Sequence, residues 1–228
     1  MNCSLLVKPV DVSPIRSPQA LHTALLPLFK NKDLVEIGTR NGDGMECFAH
    51  VTKSAKAIEY HDSYCQKLRI RNATLFSHTG KHFSVVCKDY RLAGALDADY
   101  ILWWHERPQL VDPTMLVHVS NEARQGRLRR GARVVVLSDQ QSREDEPSWR
   151  LLKDMSEKRF LIPFNEHDAC TRQLKGKRAT LCQRARGTFG ASVIRAGHIN
   201  RTTLKQLVDA RRTVLHGNDK PWFKFLWG

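Results

Sequence analysis

No apolar stretch in this chain approaches the roughly 20 residues needed to cross a bilayer, so a membrane-spanning helix is not expected. None of the six cysteines forms a Cys-x-x-Cys pair, which speaks against a zinc site or a dithiol redox motif. No Gly-Lys-Ser/Thr follows a glycine-rich turn, so a phosphate-binding loop of the nucleoside-triphosphatase kind is absent. No Ser/His/Asp or Cys/His set stands out for covalent catalysis, and there are no internal repeats or low-complexity tracts. The first ten residues carry one lysine and no apolar core with a cleavage site, a poor secretory signal. Lys8 and Arg16 leave room for a mitochondrial presequence, against which Pro9, Asp11 and Pro14 weigh. The reading is therefore of an intracellular, cytoplasmic chain. Cys3, Cys47, Cys65, Cys87, Cys170 and Cys182 are then expected as reduced thiols, mostly small buried hydrophobes.

What is present suits one α/β domain with additions. The 228 residues are 41% hydrophobic, enough for a sizeable core. Thirty-seven Lys/Arg oppose 23 Asp/Glu, a net charge of +14. The excess is uneven, because residues 151–228 hold 16 of the basic and 6 of the acidic side chains. Such a surface attracts polyanions through a salt-sensitive field. Cys170–Gly187 carries Arg172, Lys175, Lys177, Arg178, Arg184 and Arg186 with no acidic residue, a candidate arm for RNA or another anionic partner.

Short apolar runs alternate with helical periodicity along most of the chain. Ser17-Pro18 signals a helix start, and Ala20, Leu21, Ala24, Leu25 and Leu28 line one face behind it. Strands are expected at 34–37, 56–60, 83–87, 100–104 and 133–137, with helices at 44–52, 61–70 and 112–129 between them. A short helix at 148–158 precedes a closing antiparallel pair at 160–164 and 191–195, and a last helix covers 201–215. Near-continuous apolar strands separated by helices predict a doubly wound, mostly parallel sheet with helices on both faces. Three segments follow: an N-terminal covering helix region (1–30), the main domain (31–200) with a basic insertion at 170–187, and a C-terminal helix with an aromatic tail (201–228).

The densest signal is Glu36-Ile37-Gly38-Thr39-Arg40-Asn41-Gly42-Asp43-Gly44, placed where the first strand turns into a helix. Glycines in such a turn let the backbone bend tightly and approach a ligand. A dinucleotide fingerprint would require a third glycine where Cys47 stands, which disfavours a nucleotide-dependent oxidoreductase. The run resembles the first motif of the class I S-adenosylmethionine-dependent methyltransferases, Glu/Asp-x-Gly-x-Gly-x-Gly, with Arg40 in place of the second glycine. Glu59, 21 positions after Gly38 at the end of the second strand, stands where that family accepts hydrogen bonds from ribose hydroxyls. Asp89, just past the third strand, stands where it accepts from the adenine amino group, with Tyr90 beside the ring. The resemblance covers about residues 34–139 and implies a Rossmann-like fold, S-adenosyl-L-methionine as cofactor, and a site built from Glu36, Gly38, Gly42, Gly44, Glu59, Asp89 and Tyr90. Glu59 is expected to serve the cofactor alone, so that its loss would spare the fold.

The acceptor is less legible. The family's amino-methylating branches carry Asn/Asp-Pro-Pro-aromatic after the fourth strand, and its catechol-type branch places metal-binding carboxylates there. This chain reads Trp103-Trp104-His105-Glu106-Arg107-Pro108, and Asp99 begins that strand rather than ending it. His105 and Glu106 are the general acid/base candidates, with Asp139 weaker, and no metal is expected. The acceptor is a small molecule or RNA, of unknown identity. The rival reading is an inactive member of the same fold that binds RNA or assists assembly.

Overall fold

The computed structural model describes residues 1–7, 19–104, 113–140, 147–164, 187–199 and 201–215. Two N-terminal helices, α1 (Cys3–Leu6) and α2 (Gln19–Phe29), precede a regular alternation: β1 (Asp33–Ile37), α3 (Asp43–Phe48), β2 (Ser54–Glu59), α4 (Asp62–Thr79), β3 (Ser84–Cys87), β4 (Tyr100–Trp104), α5 (Pro113–Arg124) and β5 (Arg133–Gln140). Helix α6 (Pro147–Met155), the strands β6 (Lys158–Phe164) and β7 (Gly187–Arg195), and helix α7 (Arg201–Leu215) complete the described chain. The seven strands form one sheet in the order β3-β2-β1-β4-β5-β7-β6. The first five strands run parallel, and β7 lies antiparallel between β5 and β6.

Both faces of the sheet are covered, which is why β1 is buried along its whole length. Alternation along β4 divides the two cores. Ile101 faces α5, α6 and α7 through Met115, Leu116, Val119, Leu152, Leu204 and Leu207. Tyr100, Leu102 and Trp104 face α1, α2 and α3 through Cys3, Leu21, Leu25, Phe29 and Phe48. A third cluster packs α4 by Leu68 and Leu75 against Met45 and Phe83. At the sheet's far end, Arg129 pairs with Asp33 and donates from Nε to Asp97 Oδ1 at 2.7 Å. Asp99 Oδ2 accepts the Asp33 N–H at 2.9 Å. Asp99 is thus engaged in fastening β1 to the entry of β4, away from the C-terminal strand ends.

Helices α3 and α6 stop at Phe48 and Met155 rather than at 52 and 158, and two other helices differ more from the sequence reading. The expected helix at 61–70 continues to Thr79, where Gly80 ends it in the left-handed region (φ 69°) and donates to Phe76 O. The added turns are polar and bury only Leu75, but the Asn72 side chain accepts the Phe83 N–H at 2.7 Å and ties them to the next strand. Helix α5 stops at Arg124 rather than 129, with Gly126 left-handed (φ 67°) just beyond it.

The cysteine reading is corrected. Cys3 is disulfide-bonded to Cys47 and Cys65 to Cys87, with Cα separations of 5.5 and 5.8 Å. Their sequence separations are 44 and 22, so no local spacing signals them, and the fold alone brings the partners into bonding range. Cys170 and Cys182 lie outside the described residues, as do the core of the basic insertion (170–186) and the aromatic tail. Among the described residues no helix is long and apolar enough to cross a membrane.

The Cys3–Cys47 bond clips the N-terminal helix to α3 across 44 residues, a loop whose closure restricts the unfolded chain. Reduction is expected to lower the unfolding free energy by about 2–4 kcal/mol. Urea unfolding with and without a dithiol reductant, alongside Cys3→Ser, checks this. Equal midpoints, or six free thiols by mass spectrometry of the unreduced protein, would refute it.

Candidate functional site

At the C-terminal ends of β1, β2, β3 and β4 lies a cavity of about 430 Å³. Its wall is built from every strand end around the switch point of the sheet, where open α/β folds bind ligands. Ile37 and Gly38 come from β1 and its turn, Glu59, Tyr60 and His61 from β2, and Lys88, Asp89, Tyr90 and Arg91 from the segment after β3. Trp103 and Trp104 of β4 and Thr114 and Met115 of α5 close the other side. Of the residues singled out from sequence, Gly38, Glu59, Asp89 and Tyr90 meet here.

The glycines of the turn divide by duty. Gly38 (φ 73°) lines the cavity, and a Cβ added to it would meet nothing within 4 Å. Gly42 (φ 80°) is a packing glycine, since a Cβ there would lie 2.6 Å from Leu68 Cδ2. Gly44 is another, with Phe48 Cε2 at 3.0 Å and His22 Nε2 at 3.1 Å from the same imagined atom. Arg40 occupies the left-handed region (φ 53°), the conformation for which glycine is the ordinary choice. Its guanidinium turns to α4, donating to the Tyr64 hydroxyl at 2.9 Å and lying 5.2 Å from the Tyr64 ring centroid. Glu36 is buried within β1, outside the cavity lining, and its carbonyl accepts from the Thr39 hydroxyl at 3.2 Å.

Glu59 carries more than the sequence suggests. Its Oε2 accepts the Arg40 N–H at 2.7 Å, and its Oε1 accepts the N–H groups of Tyr60 and His61 at 2.8 and 3.0 Å. A carboxylate offers about four acceptor positions, so roughly one remains on Oε2. The expectation that Glu59 serves a ligand alone is therefore corrected: the same side chain ties the glycine turn to the start of α4.

Asp89 caps a one-turn 3-10 helix at Tyr90–Leu92 by accepting the Arg91 N–H at 2.9 Å. The Arg91 side chain returns to the same carboxylate, and this hydrogen bond is the main cause that holds the Asp89 carboxyl below its ordinary range. Tyr90 meets the His118 ring edge-on at 5.1 Å. Tyr60 and Arg91 were not read as a cavity wall from sequence, although they adjoin the two acidic residues that were. His105 and Glu106 follow the last residue of β4 and lie outside the described residues. The side chain of Asp139 is likewise not described. Among the described residues no group of three or more His, Cys, Asp or Glu could hold a metal ion.

The arrangement of strands, turn and cavity can be set beside known proteins. No protein-family model matches the sequence, and no curated protein matches it. Solved structures do match in three dimensions. Haemonchus contortus phosphoethanolamine N-methyltransferase 1 superposes with a TM-score of 0.53 at 14% identity, over 92% of this chain and 51% of that one. The C-terminal domain of Rhodobacter capsulatus precorrin-6Y C5,15-methyltransferase gives 0.53 at 13% identity, over 84% of this chain and 95% of that one. A Pyrococcus horikoshii protein named as a candidate RNA methyltransferase gives 0.54 at 14%, over 79% and 86%. The fold is that of the class I methyltransferases. Within this methyltransferase-like fold the cavity described above occupies the strand ends of β1 to β4, on the half of the sheet that is wholly parallel.

One buried side chain beside the turn went unread in the sequence. His22 of α2 is 1% exposed, wedged edge-on against Phe48 and Trp104 at 5.3 and 6.1 Å. Neither ring nitrogen has a hydrogen-bond partner among the described residues. Burial lowers its pKa to about 4, against a smaller opposing pull from Asp43. The folded chain therefore keeps His22 neutral down to about pH 4, while the unfolded chain protonates it near 6.5. Between these values the unfolded state binds more protons, so stability falls as pH drops from 6.5 towards 4. The loss is on the order of 3 kcal/mol. Burial displaces His50 and His118 in the same sense, so the difference between wild type and His22→Leu isolates the contribution. Parallel stability–pH curves for the two proteins across that window would refute it.

Proposed function

We propose that the chain is an S-adenosylmethionine-dependent methyltransferase that holds its methyl donor in the cavity at the ends of β1 to β4. The observation that carries this reading is the convergence of Gly38, Glu59, Asp89 and Tyr90, from three separate strand ends, on one cavity wall. The residues suit the donor's parts. Gly38, with open space where a Cβ would stand, leaves room for a ligand against the backbone. Glu59, held by three N–H groups, keeps one acceptor position on Oε2 for a ribose hydroxyl. Asp89 and Tyr90 offer an acceptor and an aromatic face for adenine. The S-adenosylhomocysteine bound to the Haemonchus contortus enzyme supports the assignment by likeness of fold.

When bound, the donor supplies a sulfonium methyl group that an acceptor takes by in-line displacement. The protein's share is orientation and exclusion of water, since such a reaction depends chiefly on geometry and a compatible electrostatic environment. Trp103 and Trp104 add apolar surface to the same cavity. His105 and Glu106, next in sequence, are proposed as the acid/base pair for an acceptor that must lose a proton. The acceptor is a small molecule or RNA; the basic segment 170–187 favours an anionic one.

Calorimetric titration with S-adenosylhomocysteine tests the reading. Micromolar binding is expected for the wild type. Glu59→Ala should lose binding and also about 2–4 kcal/mol of stability, because three backbone donors lose their acceptor. Gly38→Ala separates the two effects. It meets no neighbour, costs about 1 kcal/mol for its left-handed backbone, and should still weaken binding by placing a methyl group at the cavity wall. A folded wild type that binds no S-adenosylhomocysteine would sink the reading and leave RNA binding by an inactive fold as the better one.

A further inference from the structure

Asp89 and Arg91 make a closed pair at the cavity rim. Asp89 Oδ1 accepts both the backbone N–H and Nε of Arg91 at 2.9 Å, and Oδ2 accepts Nη2 at 2.5 Å. Three of the carboxylate's roughly four acceptor positions are thereby used, and the remaining one lies on Oδ2. A fork of this kind fixes the carboxylate plane as well as its position, which a single ammonium could not do. The same guanidinium carbon lies 5.8 Å from the centroid of the Tyr90 ring, which also meets the His118 edge and packs against the core beside α5. Asp89, Tyr90 and Arg91 all line the cavity, while the Arg91 side chain remains 61% exposed.

We infer that Arg91 is a positioning residue for purine recognition: it presents one fixed acceptor on Asp89 to an exocyclic amino group, so that the site takes a 6-aminopurine and rejects a 6-oxopurine. This rests on the proposed donor site. An aspartate on an exposed turn would otherwise rotate and be hydrated, and its acceptor would have to be ordered anew on each binding event. An amino group donates to the open position on Oδ2. A 6-oxo group sets an acceptor against the carboxylate where the amino group set a donor, its N1–H standing one ring position away, and discrimination arises from that mismatch at the fixed oxygen. Arg91 makes no demand on the core, so its loss leaves the fold in place.

The test compares S-adenosylhomocysteine with its deaminated analogue, S-inosylhomocysteine, by calorimetry on wild type, Arg91→Met and Arg91→Lys. The wild type is expected to prefer the amino compound by about tenfold or more, the effect of one charge-assisted hydrogen bond. In Arg91→Met the preference should shrink to about threefold or less, through weaker binding of the amino compound, with Arg91→Lys between the two. A merely structural role for Arg91 would weaken both ligands alike and leave their ratio unchanged, which would overturn the inference. Tighter binding of S-adenosylhomocysteine by Arg91→Met would overturn it too, by showing that the guanidinium competes with the adenine. If the folded wild type binds neither compound, the donor-site reading itself fails and takes this inference with it, an outcome distinct from a preserved ratio.

Discussion

The carboxylate of Glu59 holds the candidate site together. It gathers the N–H of Arg40 from the glycine turn and the N–H groups of Tyr60 and His61 from the entry to α4. Those three donors come from two separate segments that meet where β1 and β2 end, and one anion satisfies them all. Ordering them around one anion sets the path of both loops and hence the mouth of the cavity. A residue that looks like a ligand contact is also a structural joint, and removing it disturbs both functions. The Glu59 carboxylate is buried, and backbone donors replace the water that it lost.

The glycine turn shows the same economy. Its three glycines look alike in sequence, but Gly42 and Gly44 make room for Leu68, Phe48 and His22, and Gly38 alone opens on the cavity. A Cβ on Gly42 would stand 2.6 Å from Leu68 Cδ2 and force a shift, while one on Gly44 would press Phe48 and His22 aside by a few tenths of an ångström. Where the pattern departs from glycine, Arg40 accepts a left-handed backbone and offsets part of that cost by its contacts with Tyr64. The turn is thereby anchored to α4 from two sides, through Arg40 and through the Leu68 packed under Gly42.

Much of the fold was legible. Strands β1 and β4 read well because strands buried on both faces need near-continuous apolar sequence, and their ends are marked by Gly38 and Asp99. The antiparallel closing strands were also anticipated, from position and apolar content. The second half of α4 was not, because its polar residues carry almost no burial signal and depend on the Asn72–Phe83 contact. The disulfides were misread for a related reason: Cys3 and Cys47 have no meaningful spacing until α1 is laid against α3. At the site, Glu59 and Asp89 were found through their places at strand ends. Tyr60, Arg91 and His22 were missed, since a tyrosine, an arginine and a helical histidine are ordinary in any chain.

By itself, the sequence determined the succession of strands and helices, the two-sided burial of the sheet, and the acidic residues at the ends of β2 and β3, because these follow from local pattern and from how apolar residues must be hidden. Only the tertiary structure decided the strand order, the disulfide partners, which glycine faces the cavity, and the three donors on Glu59. Each of those is a contact between segments distant in sequence, and no local spacing encodes where a neighbour from another strand will lie.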